Sequence, residues 1–248
     1  ARLIKLFSTP RQKKRRKKEL VVLNRAKKSQ LSLDGIKIRT YEWGEGPKLA
    51  MLFHGWESNA GSLGGFVPML VENGYKVIAF DSPAHGKSGG KRANLIYFKR
   101  TAKLMTDHFG MPEVAVGHSL GANAIIMLAY EEKLPIPKSV LIAPLNRLLS
   151  VFEDMKNLLL LEEKTYDGFI RLFEERSNYQ FGDFYFHNYG KQGALKQVML
   201  MHDRKDRITN FSHAEEMKKN WEAVNFEPIE GSGHYKILWN PEALKRAK

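Results

Sequence analysis

The 248-residue chain has no cysteine. That excludes a disulfide framework and any thiolate-held metal. A reducing compartment is compatible with this but not required by it. Long apolar runs are missing too: none approaches the roughly 20 residues that a membrane-spanning helix needs. No secretory leader pattern stands at the start. The first residue is Ala1 rather than Met, so the removal of an upstream segment stays open. A cytoplasmic location is expected, with a peripheral position on a membrane as the other reading. There is no dinucleotide fingerprint, phosphate loop or metal-ligand cluster, so neither a metal nor a cofactor is expected.

Acidic residues are scarce in one place only. Residues 1–30 hold 12 Lys/Arg against the single acid Glu19, a charge of +11. The other 218 residues hold 28 bases against 26 acids, a charge of +2, so the net +13 belongs to an N-terminal arm. Its densest part is "RQKKRRKK", residues 11–18. Seven like charges in eight residues repel one another, and such a run is usually solvated. It is a candidate contact for nucleic acid or an anionic membrane. The flanking apolar residues Leu3, Ile4, Leu6, Phe7 and Leu20–Leu23 have two possible docking places, the body and a membrane. The 43% of hydrophobic residues suits one large body, 31–248, with a real core.

What is present is a repeating alternation. "LSLDGIKIRTYEW" predicts a hairpin about Asp34-Gly35. Apolar strands follow at Leu49–Phe53, Tyr75–Phe80, Val114–Val116, Ser139–Ala143, Gln197–Met201 and Val224–Phe226. Helical stretches at Phe66–Asn73, about 94–109 and from Leu120 separate the first four. This pattern predicts an α/β protein with a mostly parallel sheet flanked by helices. Residues 145–195 break the rhythm. They are helix-like and rich in large side chains, which predicts a helical cap over one end of the sheet. Its aromatic residues have two readings: they line an acyl pocket, or they pack the cap on the body.

The sharpest feature is "VAVGHSLGANAIIMLAY", residues 114–130, where a strand turns into a helix at Ser119. Ligands of parallel sheets bind at the carboxyl ends of the strands. A serine projected from so tight a turn needs strained backbone angles and small residues two before and two after it, here Gly117 and Gly121. The helix that begins there aims its amides at any oxyanion formed beside the serine. G-x-S-x-G arises by chance in about one chain in ten of this size, so the motif alone decides little. A serine hydroxyl is also a weak nucleophile without a base. A base and an orienting acid are expected after later strands, acid first. "MLMHDRKDRIT" offers Asp203 and Asp206, and "EGSGHYKIL" offers His234. A second oxyanion amide is expected after the first strand of the repeat. "LFHGWESNAG" supplies it at Trp56, with Gly55 letting the backbone turn. Leu120 is its partner. His54, His85 and His118 fall at the same end of the sheet.

Together "HGW" (54–56), "FDSPAHGKS" (80–88), "GHSLGA" (117–122), "HDRKDRI" (202–208) and "GSGHY" (231–235) resemble the α/β-hydrolase family, in family order over roughly 31–248. The resemblance implies an α/β-hydrolase fold with residues 145–195 as cap. It implies Ser119 as nucleophile, His234 as general base and Asp206 as the orienting acid. Asp203, where the family often has glycine, is the competing acid. It further implies an oxyanion hole from the Trp56 and Leu120 amides, supported by His54, Gly55, Gly117, His118 and Gly121. Asp81 reads as a brace for its loop. The expected function is hydrolysis of a small-molecule carboxylic ester or thioester by a serine esterase or lipase-like enzyme. The competing function is a catalytically silent binding module that uses the arm. Serine at 119 argues against haloalkane dehalogenases and epoxide hydrolases, which carry aspartate at that bend. Cofactor-free oxygenases and perhydrolases keep the serine.

Overall fold

The computed structural model describes residues 5, 7–11, 15–177 and 179–248. Leu3, Ile4 and Leu6, and residues 12–14 of the basic run, lie outside the described residues.

One eight-stranded sheet organises the described residues, in the order β1-β2-β4-β3-β5-β6-β7-β8. The strands are β1 (Lys27–Leu33), β2 (Ile36–Trp43), β3 (Lys48–Phe53), β4 (Tyr75–Phe80), β5 (Val114–His118), β6 (Lys138–Ile142), β7 (Gln197–Asp203) and β8 (Val224–Ile229). β1 and β2 form the antiparallel hairpin, turning through Asp34 and Gly35 at φ 50° and 77°. β2 also runs antiparallel to β4, and from β4 to β8 every pairing is parallel. The parallel strands therefore end together, at Phe53, Phe80, His118, Ile142, Asp203 and Ile229.

Alternation along the buried strands sorts their side chains to two faces. Met51, Phe53, Ile78 and Phe80 go to one core, and Ala50, Leu52, Val77 and Ala79 to the other. The first core takes α3 (Leu95–Phe109) and α4 (Leu120–Glu131). α4 is buried from Gly121 through Ala129, as a helix apolar all round must be. The second core takes α2 (Val67–Glu72) and, unexpectedly for so basic a segment, α1 (Lys17–Asn24).

Of the two docking places open to the arm's apolar flank, the body takes part of it, while Arg11, Arg16, Lys17 and Lys18 of the basic run stay exposed. Leu23 is buried in the second core, while Leu20 and Val21 stay exposed. The Trp43 indole N–H donates to Val22 O at 3.1 Å. Glu19, the arm's only acid, is buried and accepts from the Arg16 amide and the Asn59 side chain. The boundary expected at residue 30 falls inside β1, because strand pairing rather than charge sets where the body begins.

Between β6 and β7 the chain leaves the sheet to form α5 (Leu149–Leu158), α6 (Glu163–Ser177) and α7 (Phe186–Gln192). Asn123 of α4 clips the root of this cap: its side-chain amide donates to Leu145 O and its carbonyl accepts from Leu145 N. Phe152, Phe169, Phe181, Phe184 and Phe186 are buried and meet ring to ring, as in the 4.7 Å Phe152–Phe181 contact. Of the two readings of the cap aromatics, packing holds for these five. Phe7 joins them from the arm, 5.2 Å from the Phe169 ring. After β7 come α8 (Ser212–Asn220), then α9 (Gly233–Lys236) and α10 (Pro241–Arg246) beyond β8.

Candidate active site

Ser119 occupies the bend between β5 and α4 at φ 50°, ψ −122°. This left-handed backbone costs a residue with a side chain about 1 kcal/mol or more, and it stands at a strand end that the rest of the fold holds rigidly. Its amide donates to Ile142 O at 2.8 Å, and its carbonyl accepts from the Ala122 and Asn123 amides. A Cβ on Gly121 would come within 2.2 Å of Phe53 O, and one on Gly117 within 2.6 Å of Ile125 Cδ1. Both glycines are therefore required by close approach, on opposite sides of the bend. Gly55 is crowded as well, though less than these two. A Cβ there would lie 3.0 Å from both Ser119 Cβ and His118 Nδ1.

The loop after β3 is held by His54. Its Nδ1–H donates to Gly55 O at 2.7 Å, and its Nε2 accepts from the Ser82 amide at 2.9 Å. A trans peptide points its N–H opposite to its C=O. Fixing Gly55 O therefore aims the Trp56 amide the other way. Burial pushes His54 down to about 4, so the ring stays neutral with both nitrogens engaged. Among the described residues neither the Trp56 nor the Leu120 amide has an acceptor within the chain. His85 fixes the next residue of the loop, accepting from the Glu57 amide at 3.1 Å.

The loop after β7 settles how the two aspartates differ. Asp206 Oδ2 accepts from His234 Nδ1–H at 2.7 Å with its side chain wholly buried. Its Oδ1 accepts from the Ile208 and Thr209 amides at 2.8 and 3.0 Å. Burial pushes its carboxyl up, but the His234 hydrogen bond and charge and the two amides outweigh this and hold it at about 2. Asp203 instead accepts from the Lys205 and Ser232 amides at 2.8 and 2.6 Å, pinning the two loops together.

His118 joins the two halves. Its Nε2–H donates to His234 O at 2.9 Å, and the two rings lie 4.6 Å apart. Burial lowers its pKa well below the usual histidine value, so it is a neutral strut. Ser119, 8% exposed, thus follows directly on a residue bonded to His234. Among the described residues no hydrogen bond joins Ser119 Oγ to the His234 ring. Such contacts are often long before a substrate is bound.

Sequence reasoning missed Thr209 and Arg15. The Thr209 hydroxyl lies 3.1 Å from Asp206 Oδ2 and 3.2 Å from His234 Nδ1. Arg15, inside the basic run, has a side chain only 12% exposed and pairs with the fully buried Asp81 at 2.6 Å. Asp81 also accepts from the Tyr41 hydroxyl and from the Ala60 and Lys87 amides. It braces the loops after β3 and β4, as its sequence position suggests. Asp206 has a sequence signal, its spacing from His202. Arg15 has none, because its partner lies 66 residues away.

A sequence profile described as the alpha/beta hydrolase fold matches residues 51–193. A non-heme haloperoxidase of Rhodococcus erythropolis is 31% identical over 140 residues, 55% of this chain and 50% of that protein. A monoacylglycerol lipase of Mycolicibacterium smegmatis is 30% identical over 95 residues, 35% of this chain and 33% of that protein. The chain thus spans half or less of the length of these two relatives. Among solved structures, an esterase of Pyrococcus furiosus superposes with a TM-score of 0.69 at 22% identity, covering 96% of this chain and 94% of that one. That likeness is one of fold.

Proposed function

The chain belongs to the α/β-hydrolase family, and on that premise we propose that it is a serine hydrolase that cleaves a carboxylic ester or thioester through an acyl-enzyme on Ser119. The observation that carries the reading is the buried His234–Asp206 hydrogen bond, tied through His118 to the strained bend that presents Ser119.

Each group has one task. Asp206 stays ionised and holds His234 with its proton on Nδ1, leaving Nε2 as the basic nitrogen. A rotation of the Ser119 side chain brings Oγ to Nε2. His234 takes the hydroxyl proton as Oγ attacks the carbonyl carbon. The carbonyl oxygen becomes an oxyanion held by the Trp56 and Leu120 amides, which are free to donate. His234 then gives its proton to the leaving alcohol or thiol. Water, deprotonated by the same nitrogen, releases the acid and restores Ser119.

The test is a screen of p-nitrophenyl esters and acyl thioesters of graded chain length with wild type and Ser119→Ala. Turnover by wild type and none by the variant, with an unchanged melting temperature, is the expected result. Equal turnover by both overturns the assignment, and no turnover by either favours a silent binding module. One relative's name, a haloperoxidase, puts hydrogen peroxide in the screen as a second acceptor. In place of water it would release a peracid from the same acyl-enzyme.

A further inference from the structure

The cap carries three consecutive leucines that no part of the described chain covers. α5 ends at Leu158, and Leu158, Leu159 and Leu160 are 80%, 43% and 88% exposed. Single exposed leucines are ordinary, but a contiguous apolar projection marks an interaction surface. The turn is also held at φ 49° at Leu160, a conformation that leucine rarely adopts.

Their position matters more than their number. Leu158 and Leu159 form one wall of a pocket of about 330 Å³, whose other walls include Phe7 and Arg11 of the arm and Trp56 and Glu57 of the loop after β3. The leucines thus stand at the rim of an opening beside Trp56, whose amide the proposed reaction uses. On the far side of Glu57 the rim turns basic. Arg16 lies over the Tyr235 ring at 5.9 Å, next to His234, and Lys18 over the Trp239 ring at 4.4 Å. Of the described cations in residues 11–18, Arg15 is taken up by Asp81, and Arg16 is 4.0 Å from Glu19 while half-exposed. Arg11, Lys17 and Lys18 are exposed, with no ion pair among the described residues.

We propose that this face docks on an anionic phospholipid bilayer. The leucines enter the headgroup region, Arg11, Lys17 and Lys18 meet the lipid phosphates, and an acyl-lipid substrate passes by the pocket beside Trp56 to Ser119. The last step rests on the acyl-hydrolase reading; the docking does not. Bare leucines beside bare cations match a surface that is anionic outside and apolar within. Nucleic acid uses the cations but not the leucines. A second copy of the chain would set +13 against +13.

The experiment is co-sedimentation of the full chain carrying Ser119→Ala with vesicles of phosphatidylcholine alone and of phosphatidylcholine with phosphatidylserine. Binding to the mixed vesicles, weak binding to the neutral ones, and a loss of about tenfold or more in Leu158→Ser/Leu160→Ser and in Lys17→Glu/Lys18→Glu support the proposal. All four positions are exposed, so melting temperatures stay at the parent's. Three results overturn it: no binding to mixed vesicles, binding indifferent to the leucine variant, or binding to duplex DNA with none to vesicles. Turnover of a water-soluble p-nitrophenyl ester by the wild-type chain, with Ser119 intact, separates the two claims. Full turnover without docking removes the lipid surface alone. Docking without turnover in that background removes the hydrolase alone.

Discussion

Asp81 and Asp206 both have fully buried carboxylates at the same edge of the sheet, yet their partners differ in kind. Asp81 faces the Arg15 guanidinium, together with Tyr41 and two amides. That corner works as a brace between the loops after β3 and β4. Asp206 faces His234, an imidazole with two ring nitrogens, and only Nδ1 is engaged by the carboxylate. The same chemical group is thus a static clamp after β4 and, in the reaction proposed for this chain, the orienting partner of His234 after β7. The partner decides which.

The contrast breaks most visibly in rate. Asp206→Asn should lower kcat/KM by about 10⁴-fold, since it leaves the packing intact but misorients the imidazole. Steady-state kinetics on the best ester of the screen measures it. Arg15→Ala should act mainly on stability. Stranding a buried carboxylate costs about 3 kcal/mol, or roughly 10 °C of melting temperature in a chain of this size, with a smaller loss of rate in the folded fraction. Asp203→Asn keeps one acceptor oxygen but replaces the other with an NH2 that cannot accept from an amide, and should cost about 1 kcal/mol, with kcat/KM changed less than about tenfold.

Acid should separate the corners further. Asp206 is held at about 2, against about 4 in an unfolded chain. Its contribution is whole above pH 4 and is lost as pH falls toward 2. Buried His54, held at about 4 against about 6.5 unfolded, contributes fully above pH 6.5 and progressively less down to pH 4. Thermal melts of wild type and Asp206→Asn should converge between about pH 4 and 2, and not above.

The legible parts of this molecule are local. Strand bounds at Leu49–Phe53 and Tyr75–Phe80, and the bend between Gly117 and Gly121, follow from residues within a few positions of one another. The order of acid and histidine was legible because each follows a strand end. What stayed hidden depends on pairs far apart in the chain. Arg15 looked like one charge among seven until Asp81 met it, and Thr209 looked like a loop residue until Asp206 and His234 flanked it. The crowding of Gly55 by His118 and Ser119 was hidden too, because they lie more than 60 residues on. The cap aromatics were undecided because lining and packing share one composition, and only burial separates them.

The most direct test is to map a fluorophosphonate adduct by mass spectrometry and follow its rate in wild type, Asp203→Asn and Asp206→Asn. The account predicts one adduct, on Ser119, formed far more slowly in Asp206→Asn and within about tenfold of wild type in Asp203→Asn. An adduct on another residue, or a loss of labelling that follows Asp203 and spares Asp206, would contradict it.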